Sequence, residues 1–394
     1  MTPEATGSTE IGERTLERVH GMHEAFVDFV SRLCRVESPT DHPDTQSEVH
    51  AILEPAFREL DYDVRIIRGL KSGNHLLAVP RVRSRRSPFQ LLMGHSDTVW
   101  PIGTLDRMPV CVEGDRLRGP GTLDMKGGLG MIVFALRVLR DMDMVPTVAP
   151  VVFVNADEET GSPDSKRHVV RLAKASNRAL VLEPALGPSG LIKTARKGVG
   201  NFEVVVRGKA AHAGLDPEAG ASAILEISHV IQELDLLNEP SKGTTLNVGL
   251  VKGGTRPNVV AAEAIASVDV RVTSSDYGRR IEERMSAIEP VNQDVAIEVH
   301  GAIRVPPLER TPRNVTLWKE ARQRGVDLGL VLDHGLAGGG SDGNTTSLYT
   351  ATLDGLGCVG DGAHADHEHI ELTASLDRCA LLARLLMSPA LAES

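Results

Sequence analysis

Phe89-Gln90-Leu91-Leu92-Met93-Gly94-His95-Ser96-Asp97 is the stretch that decides the fold. An apolar run of strand length ends in an imidazole and a carboxylate, so the strand would deliver both to the rim of a sheet. The pattern recurs. Val151-Val152-Phe153-Val154-Asn155 leads to Asp157-Glu158-Glu159, and Ala179-Leu180-Val181-Leu182 leads to Glu183-Pro184. Asp124-Met125-Lys126-Gly127-Gly128 precedes an apolar helical stretch, and His364 stands near the C-terminus. Open α/β sheets place their sites at the carboxyl ends of the strands. Two histidines and three carboxylates converging there would make a two-metal hydrolytic centre.

Each motif alone has a plainer reading. A lone histidine in an apolar setting is more often structural than a ligand. Asp157-Glu158-Glu159 could be a solvated loop, and Glu183-Pro184 a turn. The order of all five is what argues against these readings.

Composition agrees with an aliphatic α/β core. The chain has 394 residues, comfortable for two domains, and only 3% aromatics. The net charge is −10, and the one basic run is Arg81-Val82-Arg83-Ser84-Arg85-Arg86. It sits between two predicted strands and reads as a solvated hairpin loop, so no nucleic-acid partner is expected. Cys34, Cys111, Cys358 and Cys379 form no close pair and read as reduced thiols rather than disulfides or a thiolate metal site. Met1 to Glu13 is too polar for a signal peptide or anchor, and no apolar run is long enough to span a bilayer. A cytoplasmic protein without membrane partners is expected, its first dozen residues loosely ordered.

Hydrophobic spacing predicts helices over 24–36, 45–60, 127–140 and 164–176, with strands at 63–67, 75–79, 89–94, 150–155 and 179–182. That alternation implies a mostly parallel sheet covered by helices. After Thr194 the order becomes strand 200–207, helix 217–236, strands 244–251 and 262–272, helix 276–288 and strand 294–300. This β-α-β-β-α-β order is the split βαβ, or ferredoxin-like, arrangement. The expected organisation is a catalytic domain of residues 1–194 and 305–394, ending in a helix over 374–387. An α+β domain of residues 195–304 is inserted in it.

Four motifs carry a family resemblance: Gly94-His95-Ser96-Asp97-Thr98-Val99, Gly119 through Gly128, Asp157-Glu158-Glu159-Thr160-Gly161-Ser162, and Gly208-Lys209-Ala210-Ala211-His212-Ala213-Gly214. Through them nearly the whole chain resembles the dizinc peptidases that include carboxypeptidase G, acetylornithine deacetylase, succinyl-diaminopimelate desuccinylase and the zinc aminoacylases. The resemblance implies two zinc ions per chain, with cobalt or manganese acceptable to the same ligands. One ion would take His95 and Glu183, the other Glu159 and His364, and Asp124 would bridge them. Asp97 would hydrogen-bond the second nitrogen of His95. Glu158 would be the general base. A cis peptide between Asp124 and Met125 is also implied.

The C-terminal segment offers His364, His367 and His369. The family pattern, a histidine followed four residues later by glutamate, fits His364 with Glu368; His367 is the alternative ligand. Gly338-Gly339-Gly340-Ser341-Asp342 resembles the family's substrate loop, so Gly340 and Ser341 are substrate-binding candidates; a glycine run before a helix could also be only a cap. His212 matches a residue that stabilises the oxyanion in the other subunit of a homodimer built through the inserted lid/dimerisation domain. Asn258, Arg271 and Arg304 match positions that grip a substrate carboxylate, where a guanidinium can bind both oxygens. On a valine-alternating strand, Arg271 could equally lie on a solvated face.

The implied activity is hydrolysis of an amide or peptide bond next to a free carboxylate, in a small peptide or N-acyl amino acid. The strand motif Asn155 to Ser162 points to the glutamate carboxypeptidase branch. An N-acyl-amino-acid deacylase is the alternative enzyme, and a catalytically silent binding protein the alternative outside enzymes.

Overall fold

A computed structural model describes residues 3–83 and 87–392. Ser84, Arg85 and Arg86 of the basic run lie outside the described residues, as do Met1 and Thr2. The chain divides into two compact units. The first comprises residues 1–194, 310–336 and 341–394, and the second residues 195–309 and 337–340.

The first unit is built on a six-stranded sheet in the order 62–67, 75–80, 149–155, 89–95, 176–181, 351–353. The first two strands are antiparallel, and the last four run parallel. The strand Phe89–His95 is buried along its whole length, as a central parallel strand must be, and so reads as an unbroken apolar run. His95 stands opposite Asn155 on the neighbouring strand, and the N–H of Leu182 donates to the carbonyl of Met93 at 2.9 Å. These pairings align three strand ends: His95, the Asn155–Glu159 segment and Glu183.

One helical face is packed from Phe26, Val30, Leu129, Ile132, Val133, Leu381 and Leu385, all essentially inaccessible. The helix Gly127–Asp141 can lie this close because of Gly128. A Cβ there would fall 2.2 Å from the carbonyl oxygen of Leu182, the residue before Glu183. A glycine in the helix therefore lets the strand end that carries Glu183 pack directly against it.

Where a loosely ordered start was expected, the described N-terminal residues are helical. Pro3–His20 forms a helix. The hydroxyl of Ser8 donates to Asp327 at 2.7 Å, and Val19 enters the core. At Gly12 a Cβ would meet the Asp327 carbonyl at 2.1 Å, so a glycine permits the docking. The buried positions Gly12, Thr15 and Val19 have helical spacing, but a glycine and a threonine give no apolar periodicity, and the polar residues between them hid it.

The second unit is a four-stranded antiparallel sheet in the order 245–253, 263–272, 198–207, 296–305, with helices Ala223–Asp235 and Ser275–Ser286. This is the ferredoxin-like order. Its core alternates along the strand Glu263–Val272, where Ala264, Ala266, Val268, Val270 and Val272 are buried. The helix expected at 217–236 is instead a short turn, Pro217–Ala219, then a helix from Ala223 capped by the Ser222 hydroxyl. Ala221 bridges Lys209 between the two, which interrupts the helix. Cys34, Cys358 and Cys379 are buried free thiols, and burial pushes Cys34 and Cys358 up to about 12. Among the described residues no helix is long and apolar enough to cross a membrane.

Candidate metal centre

The strand ends of the first unit meet two further segments. One is the wide turn Thr122–Lys126, which carries Asp124, and the peptide bond from Asp124 to Met125 is cis. The other is the turn around His364, which lies between the short strands Gly360–Asp361 and His369–Glu371. His364 has a φ of 61°, a left-handed conformation uncommon outside glycine and asparagine.

Asp124 faces both histidines. Its Oδ1 lies 3.2 Å from Nε2 of His95, and its Oδ2 lies 3.4 Å from Nε2 of His364. Glu183 Oε1 is 3.4 Å from His95 Nε2, and Glu159 Oε2 is 3.3 Å from His364 Nε2. The five expected ligands are therefore together. His367 and His369 point elsewhere. His367 is exposed and its Nε2 is 3.9 Å from Asp361, while His369 is buried with its Nδ1 against the His367 carbonyl at 2.9 Å.

The donor set suits divalent cations. Potential ligand atoms of His95, Glu158 and Glu183, and again of His95, Asp124 and Glu159, converge within 4.8 Å of one another. Glu159 Oε1 is buried without a hydrogen-bond partner among the described residues, and a buried carboxylate oxygen is costly unless paired or coordinated. Asp124 and then Glu159 push His364 up to about 10. Burial opposes the charged form of His95, but Asp124, Asp97 and Glu183 outweigh it and raise His95 well above its usual range. Burial, then the Glu183 carboxylate, holds Glu158 well above the usual carboxylate range.

Asp97 is fully buried and differs from expectation in its atoms. His95 Nδ1 lies 2.9 Å from the Asp97 backbone carbonyl and 3.5 Å from its carboxylate. The carboxylate instead accepts the backbone N–H groups of Glu158 at 3.3 Å and Glu159 at 3.2 Å, and the Thr40 hydroxyl at 2.8 Å. One residue thus orients the histidine with its main chain and the acidic loop with its side chain. Behind that loop, Asn155 donates to Ser162, Ser165 and Asp342, and Ser162 donates to Asp342.

Glu368 received no role from the sequence. Its inaccessible carboxylate accepts four donors: Trp100 Nε1 at 2.7 Å, and the N–H groups of Gly121 at 2.9 Å, Leu123 at 2.8 Å and Asp124 at 3.0 Å. Burial still pushes it up to about 7. The signal was its position four residues after His364.

The remaining candidates are placed as follows. Ser341 is buried, and its side chain is committed internally: it donates to Asp354 and accepts from the Gly343 N–H, capping the helix Asp342–Thr346. The Gly340 carbonyl accepts Arg196 Nη1 at 3.1 Å. In the second unit, exposed His212 pairs with Val259 across a bridge, and the Ala213 N–H donates to the Asn258 carbonyl at 3.1 Å. His212 and Asn258 therefore sit on adjoining segments. The His212 Nδ1 accepts the N–H of Gly214 at 3.1 Å, which fixes the ring. Arg271 grips Asp269 on its own strand through Nε and Nη2 at 2.9 and 3.0 Å. Arg304 is exposed on the strand Ala296–Val305.

Comparison with known proteins agrees with the fold. Residues 194–290 match the M20 peptidase dimerisation domain. Carboxypeptidase G2 of Pseudomonas sp. (strain RS-16) is 28% identical over 379 residues, covering 92% of this chain and 89% of that protein. Among solved structures, an aminopeptidase PepT from Bacillus cereus superposes with a TM-score of 0.78 at 21% identity, covering 93% of this chain and 98% of that one. A dinuclear metal-binding M20 peptidase from Bacillus subtilis superposes with a TM-score of 0.68 at 14% identity, covering 93% and 98%. The chain is a homologue of M20 family peptidases, and its fold and site are those of a metallohydrolase. Within that class, the chain is a homologue of carboxypeptidase G2.

Proposed function

We propose that this protein is a dizinc carboxypeptidase that removes glutamate from N-acyl or peptidyl substrates. The observation that carries the metal part is Asp124, with one oxygen toward each histidine. The likeness to carboxypeptidase G2 along nearly the whole chain supports the substrate class. His95, Asp124 and Glu183 would hold one ion, and Asp124, Glu159 and His364 the other. When bound, such a pair supplies Lewis-acid polarisation of the scissile carbonyl and acidifies the attacking water.

Glu158 takes a proton from that water and passes it to the leaving amine nitrogen. Asp97 holds the Glu158 backbone in place through its carboxylate. Arg271, Arg304 and Asn258 are assigned to the substrate carboxylate, and Gly340 and Ser341 to substrate binding through the glycine-rich loop. His212 is assigned to the oxyanion of the partner chain in a homodimer. These second-unit roles rest on motif resemblance alone.

The test is hydrolysis of a series of N-acyl amino acids and dipeptides varying the C-terminal residue. Highest kcat/KM on C-terminal glutamate, abolished by chelator and restored by zinc, is expected. A preference set by the acyl group and indifferent to glutamate would make the protein a deacylase. No turnover of any substrate with metal bound would make it a binding protein. For the dimer, mixing inactive Glu158→Ala and His212→Ala chains should restore roughly a quarter of wild-type activity, from half the sites in half the dimers.

A further inference from the structure

Glu368 belongs to neither of the roles above, yet it touches both metal-bearing turns of the first unit. Three of its four donors are backbone N–H groups of Gly121, Leu123 and Asp124, within the turn that aims the bridging carboxylate. Its own main chain closes the other turn. The Glu368 N–H donates to the Ala365 carbonyl at 2.9 Å, and the Ala365 N–H donates to Gly362 at 2.8 Å, with His364 between them. The Glu368 carbonyl also accepts the Gly119 N–H at 3.3 Å. The turn fits tightly: at Gly362, φ 83°, a Cβ would lie 2.8 Å from the Glu368 nitrogen.

A buried acceptor is needed here, because orphaned N–H groups in a closed turn are costly. A carboxylate brings two oxygens, each taking two donors, which an amide side chain cannot match: its nitrogen would face N–H groups. No lysine or arginine hydrogen-bonds to this carboxylate among the described residues.

We propose that Glu368 is a positioning residue for the metal centre: it locks the Asp124 turn to the His364 turn and so sets the spacing of two ligands carried by distant segments. The proposal rests on the metal-centre reading above. Residues supporting ligands in this way typically change metal affinity by roughly 10–100-fold when replaced.

The test uses metal-free protein titrated with cobalt(II) against a competing chelator, with the visible spectrum of the loaded protein as second readout. Glu368→Gln should bind cobalt roughly 10–100-fold more weakly and shift the ligand-field bands. Glu368→Asp, which keeps two oxygens, should fall between Gln and wild type. Trp100→Phe removes one donor from the same carboxylate without touching the Asp124 N–H, and should stay within about threefold of wild type, a neutral hydrogen bond being a modest net term. Wild-type affinity and spectrum in Glu368→Gln would overturn the proposal. An equal loss in Trp100→Phe would do so too, since general packing would then explain both. Should Glu368→Gln fail to fold, unchanged affinity in Glu368→Asp overturns it; failure of both to fold assigns Glu368 to folding instead. Wild-type protein that binds no cobalt would refute the metal centre itself.

Discussion

The two histidines of the site are held in opposite ways. The His95 side chain is 1% exposed and ends a strand buried along its whole length, with sheet neighbours on both sides. The His364 side chain is 50% exposed and stands on a left-handed turn between two short strands. One wall of the centre is part of the core. The other is a loop tied down by a few hydrogen bonds, most of them through Glu368. Asp124 lies between them and belongs to both. The comparison teaches that the strand wall inherits its precision from folding, while the turn wall needs dedicated braces.

The sharpest test of this division concerns a residue assigned to neither wall as ligand. Glu158→Gln keeps shape and removes the base, so kcat should fall by about 10²–10⁴. Metal stoichiometry should remain that of wild type, measured by elemental analysis. Geometry leaves room for the opposite result, because Glu158 converges with His95 and Glu183. Loss of one ion from Glu158→Gln would place this residue in the strand wall as a ligand and pass the base role to another group.

The walls themselves should respond differently to loss of their histidines. In chelator, His95→Ala takes the imidazole away from buried Glu183 and partly buried Asp124. Removing one member of a buried ionic cluster costs on the order of 3–5 kcal/mol. His364→Ala, at a half-exposed position, should cost about 1 kcal/mol or less. Both should lose metal. Thermal melts of the metal-free proteins check this, and equal destabilisation would erase the distinction between core and turn.

The same contrast governs what could be read beforehand. His95, Glu158, Glu159 and Glu183 follow apolar runs, and period and length alone bring such residues to a common sheet rim. The order β-α-β-β-α-β likewise implied the antiparallel sheet of the second unit. What stayed hidden depends on backbone detail. His364 was one histidine among three, separable only by motif. The Asp97 carboxylate and carbonyl are two residues and a hydrogen-bond choice apart from His95, which no periodicity encodes. Glu368 looks like any glutamate until four donors are seen around it. The N-terminal helix was missed because charged residues outnumber its apolar stripe.

Asp97 holds the acidic loop beyond the strand ends as Glu368 holds the turn wall, so Asp97→Asn tests whether the comparison extends to loops on both sides of the site. The amide keeps one acceptor for the N–H groups of Glu158 and Glu159 and turns a donor toward the other. A loss of roughly 10–100-fold in kcat/KM is expected, with the His95 contact to the Asp97 main chain retained. An effect as large as that of Glu158→Gln would mean that Asp97 does more than hold the loop.

The smallest expected effect belongs to His367. It stands three residues from His364 in the same segment, is exposed, and its ring nitrogen lies 3.9 Å from Asp361. A surface contact of that kind is worth little. His367→Ala should therefore keep two ions and turn over within about twofold of wild type, surface changes away from special features costing little. The comparison with His364→Ala matters because both variants remove one imidazole from the same loop. If they lose metal equally, the loop's integrity is what counts, and the identity of the ligand histidine is not fixed by the 3.3–3.4 Å approaches of His364 to Glu159 and Asp124. If only His364→Ala loses metal, the left-handed turn that aims it is the feature that separates ligand from bystander.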